Sequence, residues 1–340
     1  MRLLIACLTG LILGFASPVS PADPVRLAKE PALQDNLYGV QILDNRVWIV
    51  GYYGTILASR DRGETWEVQE SSTRNALFQV RFLNQDQGWI SGSYGTLLAT
   101  TDGGKSWKPQ STGTTEHLFG LTFINEQTGW VAGSRGTLLH TVDGGRAWID
   151  RSLSGDFTLS SLVFENANLG WIVGEFGVIF RTQNGGKNWE KQKSPVEVSF
   201  ASGESRNLFA LLFTQPDHGW AFGLDGVVLK SRGGPHWERV RPKEEKTGSA
   251  TGANHLFAAA AWNGRLWAVG ERGTLLRSDA DGLDWQPVTA EIPRVNLNHI
   301  AFGQDGFGLI VGNRGMIFRT DNGGDTWKRL KISLSRPEKN

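Results

Sequence analysis

Residues 129–148 run Gly129-Trp130-Val131-Ala132-Gly133-Ser134-Arg135-Gly136-Thr137-Leu138-Leu139-His140-Thr141-Val142-Asp143-Gly144-Gly145-Arg146-Ala147-Trp148. A short aromatic run leads through a Gly-x-x-Gly turn into a second apolar run, and a tight Asp-Gly-Gly turn then closes on Trp148. Short runs of β-branched, aromatic and leucine residues punctuated by glycine read as strands joined by hairpins. With the apolar segment Leu118-Phe119-Gly120-Leu121 ahead of it, the unit holds four such strands in about 41 residues.

The same unit repeats along the chain, and a fixed period has to be recognised before any motif is interpreted. A tryptophan closes it at Trp66, Trp107, Trp148, Trp189, Trp237, Trp285 and Trp327, at spacings of 41, 41, 41, 48, 48 and 42 residues. Leucine opens it each time, at Leu37, Leu77, Leu118, Leu159, Leu208, Leu256 and Leu297. The second strand carries Trp48, Trp89, Trp130, Trp171, Trp220 and Trp267, with Leu309 in the last copy. Composition agrees: 43 glycines and 14 tryptophans beside two methionines and one cysteine suit many short strands and turns. A lone four-stranded sheet cannot bury both faces, whereas a ring of sheets packs each face on its neighbour and limits exposed edges. The expected fold is therefore all-β, a seven-bladed β-propeller of four-stranded antiparallel blades over residues 37–334. Each copy is complete in itself, so the strand exchange that often closes such rings need not occur. Residues 23–36 either add a strand to blade seven or stay outside the ring, and 335–340 form a loose tail.

The turn before each closing tryptophan reads Ser/Thr-x-Asp-x-Gly-x-x-Trp, clearest at Ser59, Asp61, Gly63 and Trp66. Asn184 and Asn322 replace the aspartate in two copies, Ala280 takes its place in blade six, and blade five is a residue short at Ser231-Arg232-Gly233-Gly234. This is the Asp box of sialidases and many other propellers. Its physics is local: the carboxylate accepts backbone N–H groups across the turn, glycine supplies positive φ, and the indole locks the turn on the core. Repeated equivalent copies suit a fold requirement better than a single catalytic or calcium site.

Residues 1–22 read as a secretory signal, with Arg2 ahead of the apolar run 3–15 and small residues at Ser20 and Ala22. The expected compartment is the periplasm, with peripheral rather than integral association to the membrane. Cleavage near Asp23 would remove Cys7, the single cysteine, so no disulfide or cysteine-bound metal is expected. The 35 basic against 34 acidic residues argue against nucleic acid as partner. Six histidines without paired ligand spacing and no phosphate-binding loop leave no metal or cofactor in view.

In a blade, the turns from second to third strand share one face with the connections between blades, and the Asp boxes lie on the other. The variable features thus gather on one face. The connections after blades four and five lengthen from 11 or 12 residues to 19, the second being the polar segment 241–252. The turns present Tyr52, Tyr53, Tyr94, Arg135, Glu175, Phe176, Asp225, Glu271, Arg272 and Arg314. Aromatic and arginine side chains on loops of a rigid scaffold suit protein recognition.

The combination of Gly-Trp, Gly-x-x-Gly-Thr and Asp box, as in 129–148, resembles the photosystem II stability and assembly factor family over nearly the whole mature chain. The resemblance implies a non-catalytic seven-bladed propeller that helps membrane-protein complexes assemble, with a partner-binding patch built on arginines before the second glycine of the Gly-x-x-Gly turn. Here those are Arg135, Arg272 and Arg314, while Tyr53, Tyr94, Phe176 and Asp225 fill the matching places. The implied partner is a membrane-protein complex or transporter. The alternative is a sialidase-like glycoside hydrolase or a carbohydrate-binding propeller, which would need a carboxylate pair, or an arginine triad with a tyrosine nucleophile. Arg135, Arg272 and Arg314 with Tyr53 or Tyr94 would have to supply it.

Overall fold

The computed structural model describes residues 35–202, 204, 206–216, 218–231, 235–240, 254–332 and 334–335. The leader expected over 1–22, the segment 23–34, the polar connection at 241–252 and the tail at 336–340 lie outside the described residues.

Blade three shows how the repeat folds. Strands Leu118–Phe123, Gly129–Gly133, Leu138–Thr141 and Ile149–Asp150 pair antiparallel in sequence order. The whole run Gly129–Gly133 is buried, because both faces of this second strand are covered; this is why it reads as continuously apolar and not alternating. Seven sheets repeat the order, and the first strands of successive blades touch one another around a closed ring, blade seven against blade one. The first strands therefore line the centre, and the chain is a seven-bladed β-propeller.

Aromatic sandwiches join the blades at five junctions, while between blades five and six Ala261 takes the phenylalanine's place beside Trp220 and Trp285. Trp89, on the second strand of blade two, stacks on Phe123, the last residue of blade three's first strand, at 3.5 Å between centroids and 15° between planes. Trp148, the closing tryptophan of blade three, meets the same ring edge-on at 6.0 Å and 87°. Trp48, Phe82 and Trp107 repeat this between blades one and two, and Trp171, Phe213 and Trp237 between blades four and five. Stacked and edge-on pairs of this kind add to plain area burial. Close under Trp89, Trp130, Trp220 and Trp267 sits a glycine of the neighbouring Asp box: a Cβ on Gly186, at φ 81°, would come within 2.2 Å of Trp130.

The seam between blades seven and one is built differently. Leu309 replaces the tryptophan, and the junction is an aliphatic cluster with Leu37, Ile49, Val311 and Trp66. Arg62 pairs with Asp305 and Arg319 with Glu64, each at 2.5 Å, so ion pairs cross the seam. Asp35 and Asn36 clamp the other face: Asp35 O accepts the Gly315 N–H at 2.7 Å, and Asn36 Oδ1 that of Arg314 at 3.2 Å. A strand exchange does occur, but as an addition. Leu334–Ser335 runs parallel to Trp66–Val68 as a fifth strand on blade one, so pairing extends to Ser335.

Replacing Phe123, which is 3% exposed, with alanine is expected to destabilise the ring by about 3–5 kcal/mol in denaturant titration. Trp148 is only partly buried, and its alanine variant should cost less. Ending the chain at Ile332 leaves the edge of Trp66–Val68 unpaired and should lower Tm with the blades still formed, as read by circular dichroism.

Candidate functional site

The turn after each second strand has one geometry throughout. Ser134–Gly136 forms a single tight turn closed by the Thr137 N–H on Ser134 O at 3.0 Å. Gly133 admits the connection from the same blade, since a Cβ there would lie 2.1 Å from His117 O. At the tip, the non-glycine residue takes the left-handed conformation: φ is 53° at Tyr53, 53° at Tyr94, 54° at Arg135, 58° at Phe176, 53° at Asp225, 55° at Arg272 and 59° at Arg314. All the expected partner-binding residues thus occupy one position of the repeat.

Side chains from the next blade hold these tips. The N–H of Phe176 donates to Asn207 Oδ1 at 3.3 Å and that of Arg272 to Asn296 Oδ1 at 3.3 Å. His117 Nδ1 accepts the Tyr94 N–H at 3.3 Å, and His255 Nδ1 the Asp225 N–H at 3.1 Å. The side chains themselves project outward: Tyr53 is 63% exposed and Tyr94 66%, and the Arg135 and Arg272 side chains are 71% and 70% exposed. Their ion pairs are loose, Arg135 with Glu116 at 3.9 Å, Arg272 with Glu271 at 3.5 Å and Asp225 with Arg206 at 4.0 Å. Such exposed pairs hold a side chain only weakly. Arg272 and Arg314 stand on adjoining blades six and seven, and Tyr53 and Tyr94 on adjoining blades one and two. Arg135, on blade three, is separated from the other two arginines, so the structure forms a rim and not a triad.

Sequence reasoning missed what lies inside that rim. In every blade the register slips after the opening leucine, so the second residue is the extra residue of a β-bulge: in blade one Leu37 pairs with Gly51 and Gly39 with Val50. Bulges re-aim side chains. Tyr38, Phe78, Phe119, Ser160, Phe209, Phe257 and Asn298 are these residues, all half-buried around one central cavity of about 440 Å³. Tyr38 meets Phe78 at 5.7 Å, Phe78 stacks with Phe119 at 5.0 Å, and Phe209 meets Phe257 at 5.6 Å. The recurring aromatic after the leucine was the available signal.

Three titratable groups reach this cavity. Burial pushes the Tyr38 phenol above its usual value, against a hydrogen bond with Asn36 that lowers it. Burial likewise pushes the His299 imidazole down to about 4, and its Nδ1 has no hydrogen-bond partner among the described residues. Glu175 accepts the Thr158 N–H on Oε2 at 2.7 Å.

The opposite face carries the Asp boxes, which are bonded internally. Asp102 accepts Thr100 Oγ1–H at 2.7 Å and the Ser106 N–H at 2.9 Å and hydroxyl at 2.6 Å. Partial burial would raise this carboxyl, but the bonds from Ser106 and Thr100 and the charge of Lys105 outweigh it and bring it to about 2. In blade six Asp281 accepts the Leu283 N–H instead, one residue beyond Ala280. The glycines of the blade-five box lie outside the described residues. Among the described residues no group of three His, Cys, Asp or Glu side chains could hold a metal ion, and no helix is long and apolar enough to cross a membrane.

Residues 32–101, 67–149 and 99–199 match the family described as Photosynthesis system II assembly factor YCF48. A structure of YCF48 bound to D1 peptide shares 21% identity at TM-score 0.67, covering 84% of this chain and 93% of that one. YCF48 from Cyanidioschyzon merolae shares 20% at TM-score 0.65, covering 84% and 95%. The GH74 xyloglucanase from Xanthomonas campestris superposes at TM-score 0.69 with 12% identity, over 86% of this chain and 54% of that one. At these identities the structural likenesses concern the fold. No curated protein matches the chain.

The depressed His299 sets an acid response. Its folded value lies below the unfolded value near 6.5, so the unfolded chain takes up the proton first, and this stability is present above pH 6.5 and lost as pH falls toward 4. Tm should therefore drop by about 3 °C or more between pH 7 and 4.5. His299→Gln, which copies Gln79 at the same place in blade two, should flatten that drop in differential scanning calorimetry.

Proposed function

We propose, for a chain that belongs to the photosystem II assembly factor-like family, that it acts in the periplasm as a non-catalytic scaffold, docking its turn face on a subunit of a membrane-protein complex or transporter during assembly. The observation that carries this reading is the chemistry of the left-handed tips. A non-glycine residue in that region costs about 1–2 kcal/mol, which glycine avoids. Yet six of the seven tips carry a large side chain, Tyr53, Tyr94, Arg135, Phe176, Arg272 and Arg314. A turn selected for geometry alone would carry glycine or asparagine. Strain retained for outward-facing tyrosine, phenylalanine and arginine points to contact with something outside the chain, and those residue types dominate interface hot spots.

A relative is described as YCF48 bound to D1 peptide, which supports a membrane-complex subunit as the class of partner. The non-catalytic reading is supported by the placement of the candidate enzyme groups. The arginines sit on blades three, six and seven at equivalent exposed tips, and the rim carboxylates Glu116, Asp225 and Glu271 lie against arginine or histidine side chains.

The test is crosslinking and mass spectrometry on native envelopes, comparing wild type with the triple variant Arg135→Gly, Arg272→Gly, Arg314→Gly. A membrane complex retained by wild type should be lost from the variant, with Tm unchanged or raised because strain is relieved. An identical set of retained proteins, or hydrolysis of oligosaccharides by the purified chain, would overturn the reading.

A further inference from the structure

We propose that the mouth of the central channel is a binding site for an organic cation: an alkylammonium or guanidinium group carried on an aliphatic stem. The site is independent of docking at the rim, since it needs no partner protein, and either reading can fail alone.

The repeat needs the extra residue in every blade, but it does not need that residue to be aromatic, as Ser160 and Asn298 show. Tyr38, Phe78, Phe119, Phe209 and Phe257 nonetheless place five rings around one cavity of about 440 Å³. Half-buried rings facing an open cavity leave apolar surface that the core does not use. Aromatic faces carry negative potential, so an enclosure of them favours a cation over a neutral group of equal shape.

No lysine or arginine lines this cavity among the described residues, and Glu175 supplies a carboxylate. One of its oxygens is held by the Thr158 N–H, which fixes the group, while Oε1 has no partner among the described residues. His299 stays neutral near pH 7 and adds no opposing charge. A carboxylate beside aromatic rings repels anions and pairs with a cation.

A sugar would also stack on aromatic rings but needs several free donors and acceptors. Each of the three amides lining the cavity has one atom engaged within the protein. Asn298 Nδ2 donates to Leu37 O at 2.8 Å and to Asn313 Oδ1 at 2.8 Å; Gln79 Oε1 accepts the Leu121 N–H at 3.1 Å; Asn207 Oδ1 accepts the Phe176 N–H at 3.3 Å.

The experiment uses the mature chain with choline and 3,3-dimethylbutan-1-ol, which match in shape and differ in charge, followed by isothermal titration and ligand-observed NMR. Choline should bind saturably, with the neutral alcohol about 10-fold weaker or worse. Glu175→Gln, whose amide oxygen can still accept the Thr158 N–H, and Phe119→Leu, which keeps apolar volume without the ring, should each weaken choline by about 5-fold with Tm close to wild type. Competition by N-acetyl-lysine methylamide distinguishes the source: displacement at lower concentration than choline marks a protein side chain, and weaker displacement marks a free or lipid-borne quaternary amine. Equal binding of choline and the alcohol, no saturable binding of choline, or choline affinity unchanged in both variants would overturn the proposal, as would tighter binding of an oligosaccharide at the same cavity.

Discussion

The Trp-Phe-Trp sandwich between blades is the contact on which the ring depends. A second strand such as Gly129–Gly133 is buried along its length, so a blade on its own would expose an apolar face on each side. Stacking Trp89 on Phe123 covers one such face, and the edge of Trp148 fixes the angle at which the next sheet arrives. The contact recurs at five junctions, with Trp–Phe centroids 3.5 to 6.0 Å apart, and seven sheets close the ring. The Asp box belongs to the same device. Its glycine must lie flat against an indole, as Gly186 does on Trp130, and its aspartate or asparagine holds the turn that puts the glycine there.

Repetition also explains where specific chemistry can reside. Positions buried between blades stay apolar in every copy, with Leu309 in place of tryptophan and Ile42 and Ala261 in place of phenylalanine. The turn tip and the bulge are constrained in backbone and open in side chain. Blade after blade holds the same φ near 55°, while the side chain changes from tyrosine to arginine to aspartate. The bulge residue changes from tyrosine and phenylalanine to serine and asparagine under the same register slip. Rim and channel mouth therefore form two concentric surfaces whose frame is set by the fold and whose chemistry is free to be set by a ligand.

Much of this frame was legible in the sequence because a 41-residue period marks it seven times over. The blade count, the strand order, the structural role of the Asp boxes and the common place of Tyr53, Tyr94, Arg135, Phe176, Asp225, Arg272 and Arg314 follow from aligning the copies. The sandwich phenylalanines and the channel ring did not emerge, for a definite reason. Leu118-Phe119-Gly120-Leu121 reads as an ordinary buried strand, and only the slip in pairing between Leu118 and Gly120 turns Phe119 toward the channel. A bulge is a property of two strands together, and no single-strand pattern encodes it. The same holds for Leu334–Ser335, too short to carry a strand signal and paired only because the edge of Trp66–Val68 is within reach.

That last pairing follows from how a ring made of a linear chain must end. Six junctions join blades that are consecutive in sequence, so the connection between them restrains their separation even before they pack. The junction between blades seven and one has no such restraint, and it also lacks the tryptophan that Leu309 replaces. Packing alone would make it the weakest place in the ring. What is found there is a parallel fifth strand on blade one and the Arg62–Asp305 and Arg319–Glu64 pairs, added to the tip clamp that Asn36 makes here as Asn207 and Asn296 make it at other junctions. The clamp reaches Arg314 at its backbone, so the contact that closes the ring also holds one of the exposed turn tips. Packing of neighbouring blades and the placing of the turn tips are thus coupled at the seam as they are at the Tyr94, Phe176, Asp225 and Arg272 tips.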